Sequence, residues 1–167
     1  MYEHNEIERK YLIRYPDARA LTEHPGCVIW NIHQTYLTAI CGNVRRLRKV
    51  ECNGKTTYFL TEKRNITDLA CRELEREITP KEYSMMLDDA DPDRNEIIKT
   101  RYRIAHEGQI FEIDVYPFWK KQAVMEVELN NEEEPVHIPD WVCLLREVTG
   151  DPMYRNSALA KHIPEED

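Results

Sequence analysis

Glycine and proline are scarce in this sequence. Five glycines and nine prolines in 167 residues exclude the Gly/Pro-rich composition of low-complexity chains. No apolar run approaches the ~20 residues that a membrane-spanning helix needs, so no membrane association is expected. The opening Met1-Tyr2-Glu3-His4-Asn5-Glu6 has neither the basic nor the apolar region of a secretion signal, which predicts a cytoplasmic protein. Cysteine is present but unorganised: Cys27, Cys41, Cys52, Cys71 and Cys143 are odd in number, scattered, and contain no C-x-x-C pair. That pattern predicts reduced thiols rather than a zinc site or a disulfide framework. The six histidines, His4, His24, His33, His106, His137 and His162, show no metal-ligand spacing. P-loop, G-x-G-x-x-G and G-x-S-x-G signatures are missing as well.

What the chain has in excess is charge. Charged residues make up 32% against 41% hydrophobic, and mean hydropathy is -0.68. With 31 acidic and 23 basic residues the net charge is -8. That balance argues against a nucleic-acid partner, because phosphate backbones require a basic footprint. It leaves room for a small anion, since a local cluster of Arg and Lys focuses a positive field inside an acidic protein.

Most segments alternate with a period of two, the signature of strands. Eight strands are expected: Asn5–Arg14, Cys27–Ile40, Val44–Cys52, Thr56–Lys63, Cys71–Thr79, Glu96–Ala105, Gln109–Pro117 and Ala123–Asn130. Asn53-Gly54 and Glu107-Gly108 mark hairpins. Helices are expected at Asp17–His24 and at Pro80–Leu87, the latter with Thr79 as N-cap. Trp141, Leu144, Leu145 and Val148 stand at helical spacing, predicting a helix over Asp140–Thr149, and Met153–His162 reads as a last one. The acidic runs Glu132-Glu133-Glu134 and Glu165-Glu166-Asp167 read as solvated. Together these predict one α+β, mainly β domain over 1–167, an eight-stranded antiparallel barrel with peripheral helices. Apolar outward positions such as Ile7 and Ile13 have either helices or a second copy of the chain, a homodimer, to meet.

The informative feature is what alternates. Side chains at i, i+2 and i+4 of a strand share a face. Glu6, Glu8 and Lys10 therefore lie together, as do Arg46 with Arg48, Thr61 with Lys63, and Glu73 with Glu75 and Glu77. The same holds for Lys99, Arg101 and Arg103, for Glu112 with Asp114, and for Glu126 with Glu128. One wet face is the common antiparallel arrangement, but such faces usually mix Thr, Ser, Lys and Glu. Here seven strands present almost only acids and bases. Like charges two apart repel unless a counter-ion stands between them. Paired carboxylates suit a divalent cation such as Mg2+ or Mn2+, and paired cations suit an oxyanion. A polyphosphate with its metal satisfies both.

The ordered series Glu6-x-Glu8-x-Lys10, Gln34-x-Tyr36, Arg46-x-Arg48, Thr61-x-Lys63, Glu75-x-Glu77, Lys99-x-Arg101, Glu112-x-Asp114 and Glu126-x-Glu128 resembles the CYTH family of triphosphate tunnel metalloenzymes. The tail Tyr154-Arg155-Asn156-Ser157-Ala158-Leu159-Ala160 looks like the ending of its small bacterial tripolyphosphatases. The resemblance covers essentially the whole chain. It implies a charged barrel tunnel and metal-dependent hydrolysis of inorganic triphosphate to pyrophosphate and orthophosphate, with Mg2+ or Mn2+ as cofactor. On this reading Lys10, Arg46, Arg48, Lys63, Lys99, Arg101 and Arg103 hold the triphosphate. Glu6, Glu8, Asp114, Glu126 and Glu128 hold metal, and Glu75, Glu77 and Glu112 support it or orient the bases. Glu6, Glu8, Lys10, Glu126 and Glu128 form the catalytic group. Two alternatives stay open. A class IV-type adenylyl cyclase, or a hydrolase of another triphosphate, would place Tyr36, Tyr58 or Tyr102 against an organic group, and a non-catalytic sensor would bind without turnover. On the metal-binding reading Glu126→Gln or Glu6→Gln ends turnover with little loss of fold stability, since removing a buried repulsive carboxylate relieves the metal-free barrel.

Overall fold

The computed structural model describes the backbone of residues 2–65 and 70–167, and the side chains of 6–64 and 72–167. The side chains of His4 and Cys71 lie outside the described residues. Among the described residues nine strands form one antiparallel sheet: β1 (Tyr2–Arg14), β2 (Val28–Ile40), β3 (Asn43–Cys52), β4 (Lys55–Asn65), β5 (Ala70–Ile78), β6 (Ile97–His106), β7 (Gln109–Val115), β8 (Gln122–Glu128) and β9 (Leu144–Glu147). Their spatial order is β5-β4-β3-β2-β6-β7-β8-β1-β9, and β5 also pairs with β1. The long first strand makes this arrangement. Its start, Tyr2–Ile7, pairs with β5, and its end, Glu8–Arg14, pairs with β8. The sheet therefore curls, and the charged i, i+2 faces of its strands look inward.

The expected eight-stranded closed barrel is corrected here. The sheet has nine strands, and β9 extends it beyond β1 as an edge strand. The helix expected over Asp140–Thr149 does not form. Leu144–Glu147 instead pairs with Tyr11–Ile13 on the edge of β1 opposite β8, anchored by Arg14 N–H to Cys143 C=O (2.9 Å) and Val148 N–H to Lys10 C=O (2.8 Å). Unpaired strand backbone is a stronger demand than helical spacing of side chains. Of the four residues that suggested the helix, only Val148 is buried. The last helix is likewise split, into a 3-10 turn at Pro152–Tyr154 and α3 (Asn156–Leu159).

Turns follow their residues. Asn53 and Gly54 have φ of 51° and 76°, and Glu107 and Gly108 have 48° and 78°, as a two-residue hairpin requires. Cys41-Gly42 makes a third such turn (52° and 76°) without the Asn or Asp that signals one. Helix α1 (Ala18–Glu23) is capped by Asp17, whose carboxylate accepts from Arg19 N–H. Helix α2 (Pro80–Met86) starts in a capping box between Thr79 and Glu82.

The apolar core lies mainly outside the curl. On the outer face Tyr11, Ile13, Ile104, Phe111, Ile113, Met125 and Val127 pack with Leu21 of α1. A second outer cluster, Leu37, Leu47, Leu60 and Ile78, is covered by Tyr83 of α2. A third joins inward-facing Leu12, Tyr36, Ile97 and Val124 to Tyr116, Trp119, Tyr154 and Leu159. It fills one end of the curl, which leaves the rest of the interior to the charged residues. Among the described residues no helix is long and apolar enough to cross a membrane.

Candidate active site

A cavity of about 330 Å³ opens inside the curl, lined by Glu6, Glu8 and Lys10 of β1, Arg46 and Arg48 of β3, Lys63 of β4, Glu73 and Glu75 of β5, Arg101 of β6, Glu112 of β7 and Glu126 and Glu128 of β8. Register explains the convergence. Glu8 stands opposite Glu128, and Lys10 opposite Glu126. Glu112 stands opposite Glu126 across β7 and β8, and Arg48 opposite Gln34 across β3 and β2.

The bases are mostly paired with acids. Lys10 Nζ lies 2.9 Å from Glu126. Lys63 Nζ donates to Glu6 at 2.5 Å and Glu73 at 2.7 Å, and Arg46 is 3.7 Å from Glu73. Arg101 engages Asp114 at 2.7 Å, Glu126 at 3.4 Å, and Glu112. Arg48 differs. Among the described residues it has no carboxylate within ion-pair distance, and its Nε–H donates instead to the Gln34 side-chain oxygen at 3.3 Å.

Electrostatics follow from burial and neighbours. Burial, with Arg46 and Arg101 beside it, pushes Arg48 down to about 10. Burial would raise the Glu126 carboxyl, but Lys10, Arg101 and Lys99 outweigh it and hold it well below the usual range. Burial and the nearby Glu126 push Glu8 up to about 7. Glu8 has no ion-pair partner among the described residues, and it faces a second acid, Glu128. Two carboxylates so placed suit a divalent cation. Among the described residues no group of three or more acids, histidines or cysteines forms a ready metal cage. Mg2+ does not need one, since it is typically held by one or two carboxylates, substrate phosphates and water.

Four of the expected site residues lie elsewhere. Lys99 and Asp114 are fully buried behind the cavity wall, joined at 2.5 Å, and Asp114 also takes two hydrogen bonds from Arg101. Neither lines the cavity, and the Asp114 carboxylate is taken up by Lys99 and Arg101. Arg103 pairs with Glu112 at 3.3 Å and lies over the Trp30 ring, outside the lining. Glu77 is exposed and gives its place to Glu73. Alternation identifies a face but not depth along it, which is why all four were expected.

Further lining residues come from the tail, which strand alternation does not reach. Thr149, Asp151, Asn156 and Ser157 line the cavity with Arg155. They carry no periodic signal, and only the path of the tail brings them there. The tyrosines considered for an organic group divide. Tyr36 lines the cavity, Tyr58 packs on Tyr83 at 4.8 Å under α2, and Tyr102 packs against the outer core. The acidic runs are not wholly solvated either. Glu134 accepts from Asn130 N–H at 2.6 Å, and Glu166 accepts from Lys120 and Lys121 N–H at 2.6 and 2.5 Å.

Comparison with known proteins adds an independent line. No family model matches the chain. It is 36% identical over 158 residues to an inorganic triphosphatase of Acetivibrio thermocellus, covering 94% of each chain. It is 34% identical over 165 residues to an inorganic triphosphatase of Nitrosomonas europaea, covering 95% of this chain and 99% of that one. A crystal structure of an inorganic triphosphatase superposes with a TM-score of 0.58 at 31% identity, covering 96% of this chain and 100% of the other.

Proposed function

The chain belongs to the inorganic triphosphatase family, and from that premise we propose that it hydrolyses inorganic triphosphate inside the charged cavity, yielding pyrophosphate and orthophosphate. Triphosphate hydrolysis is what the family does. The finer reading is that the whole of 1–167 acts as one tunnel-like unit, with the β1–β5 pairing holding the curled sheet around the substrate.

The observation that carries this reading is Arg48: a buried guanidinium lining an acid-rich cavity, with no carboxylate at ion-pair distance among the described residues. Such a group wants an oxyanion. Arg46, Lys63, Lys10 and Arg101 extend the positive surface and bind further phosphate oxygens by loosening their present pairs. Glu8 and Glu128, with Glu6 and Glu126 beside them, would hold a divalent cation, Mg2+ or Mn2+. When bound, that cation would neutralise phosphate charge and make the attacking water more acidic. Glu75, fixed by Thr61 Oγ1 at 2.8 Å, and Glu112 orient the bases. A water oxygen bonds to a terminal phosphorus as the bond from that phosphorus to the bridging oxygen breaks; one water proton stays on the orthophosphate and the other goes to the departing pyrophosphate. Positioning and preorganised charge supply most of the rate.

The deciding experiment incubates the protein with tripolyphosphate, pyrophosphate, ATP and thiamine triphosphate, each with Mg2+ or Mn2+, and identifies products. Preferential conversion of tripolyphosphate to pyrophosphate and orthophosphate is expected. Cyclic AMP from ATP, or tight binding of every substrate without turnover, overturns the reading.

A further inference from the structure

Every base that the strands contribute to the cavity lining, except Arg48, meets a carboxylate among the described residues: Lys10 meets Glu126, Arg46 meets Glu73, Lys63 meets Glu6 and Glu73, and Arg101 meets Glu112, Asp114 and Glu126. The partner of Arg48 is Gln34, fully buried and directly across the β2–β3 ladder. The amide is used at both ends. Its oxygen accepts from Arg48 Nε–H at 3.3 Å, and its nitrogen donates to Tyr36 Oη at 2.6 Å. A glutamate would fit the same space and would bind the guanidinium more strongly. The chain carries the neutral isostere instead.

We infer that Gln34 is a positioning residue for triphosphate binding: its uncharged amide, itself fixed by Tyr36, aims the Arg48 guanidinium while leaving the cationic charge for the phosphate. This rests on the reading of the cavity as the triphosphate site. The Nε–H is tied down, so the terminal NH groups keep one orientation and less rotamer freedom is lost on binding. A carboxylate in place of the amide would fix the same geometry and cancel the charge. Gln34, which does not line the cavity, therefore acts through Arg48, without contact to the reacting phosphorus.

The test uses the full chain with Gln34→Glu, Gln34→Leu and Tyr36→Phe. Tripolyphosphate affinity is measured by calorimetry without metal, and kcat and KM with Mg2+. Gln34→Glu should raise Kd roughly 10- to 100-fold and flatten its salt dependence. KM should rise in parallel, with kcat within about threefold of wild type, as for loss of uniform binding. Gln34→Leu and Tyr36→Phe, which release the guanidinium but keep its charge, should raise Kd by only about two- to fivefold. A residue needed only for packing would rank the other way, because glutamate preserves shape and leucine removes both hydrogen bonds. Leucine harming affinity as much as glutamate, or glutamate binding like wild type, overturns the inference. If Gln34→Glu does not fold, Gln34→Leu decides through the split of KM and kcat: a KM raised about two- to fivefold with kcat within about threefold of wild type supports the inference, and an unchanged KM overturns it. Wild-type protein that fails to bind tripolyphosphate removes the functional reading first, and this inference with it.

Discussion

Replacing Glu126 with Gln separates two accounts of the charged interior. If the acids merely repel one another, the change leaves the melting temperature equal or higher. The structure predicts the opposite. Glu126 is 2.9 Å from Lys10 and 3.4 Å from Arg101, and the three side chains are only 9–12% exposed. Arg101 keeps Asp114 and Glu112, but Lys10 has no other carboxylate within ion-pair distance among the described residues. Stranding a buried charge costs about 3–5 kcal/mol. Relief of repulsion with Glu8 and with Glu112 across the ladder offsets about 1–2 kcal/mol of this. A net loss of about 1–4 kcal/mol lowers Tm by roughly 2–16 °C for a chain of this size. Thermal unfolding at neutral pH without metal or substrate, followed by circular dichroism, reads this directly. Turnover should be lost as well. Tripolyphosphate without metal should raise the Tm of the variant more than that of wild type, because one more cationic charge is free for it. An unchanged or higher Tm for Glu126→Gln refutes the account of Glu126 as the partner of Lys10.

The other predictions are briefer. Arg48→Ala should weaken tripolyphosphate binding by roughly 10- to 100-fold while the fold survives; calorimetry showing unchanged affinity removes Arg48 from the site. Chelation with EDTA should abolish hydrolysis, and Mg2+ or Mn2+ should restore it; phosphate release that survives chelation removes the cofactor. The Glu166 carboxyl is held below its ordinary value by the Lys121 and Lys120 backbone N–H groups. Its contribution to stability is therefore complete above the ordinary carboxylate pKa and is lost as pH falls through the depressed folded value. Melting curves from pH 7 down to 3 should show Glu166→Gln less stable than wild type at neutral pH and converging with it in acid. A constant gap contradicts the role of that carboxylate in holding the start of β8.

Much of the fold is written in alternation. Apolar outer faces such as Tyr11 with Ile13, and Ile104 beside Phe111 and Ile113, recur with a period of two because an antiparallel sheet buries one side, and the loops reverse at Asn53-Gly54 and Glu107-Gly108 because those residues tolerate positive φ. The charged inner face was legible for the same reason, and eight of the nine strands could be placed from it. The ninth was not. Leu144–Glu147 has helix-like spacing, and its conformation follows from an open edge on β1 that no local window contains. Lys99 and Asp114 carry the same alternation as Arg48 and Glu126, yet sit behind the wall.

The chain's own pattern decides which side chains share a face, since period-two geometry is local and belongs to the backbone. It decides the chemistry too: a wall of acids and bases that calls for phosphate and metal. Only tertiary structure decides depth, partnership and charge balance. Those depend on which residue stands across a ladder, and a ladder is a relation between distant segments. Gln34 opposite Arg48 is the clearest case: the series names the amide, but only the ladder sets it against a guanidinium that has no carboxylate partner among the described residues.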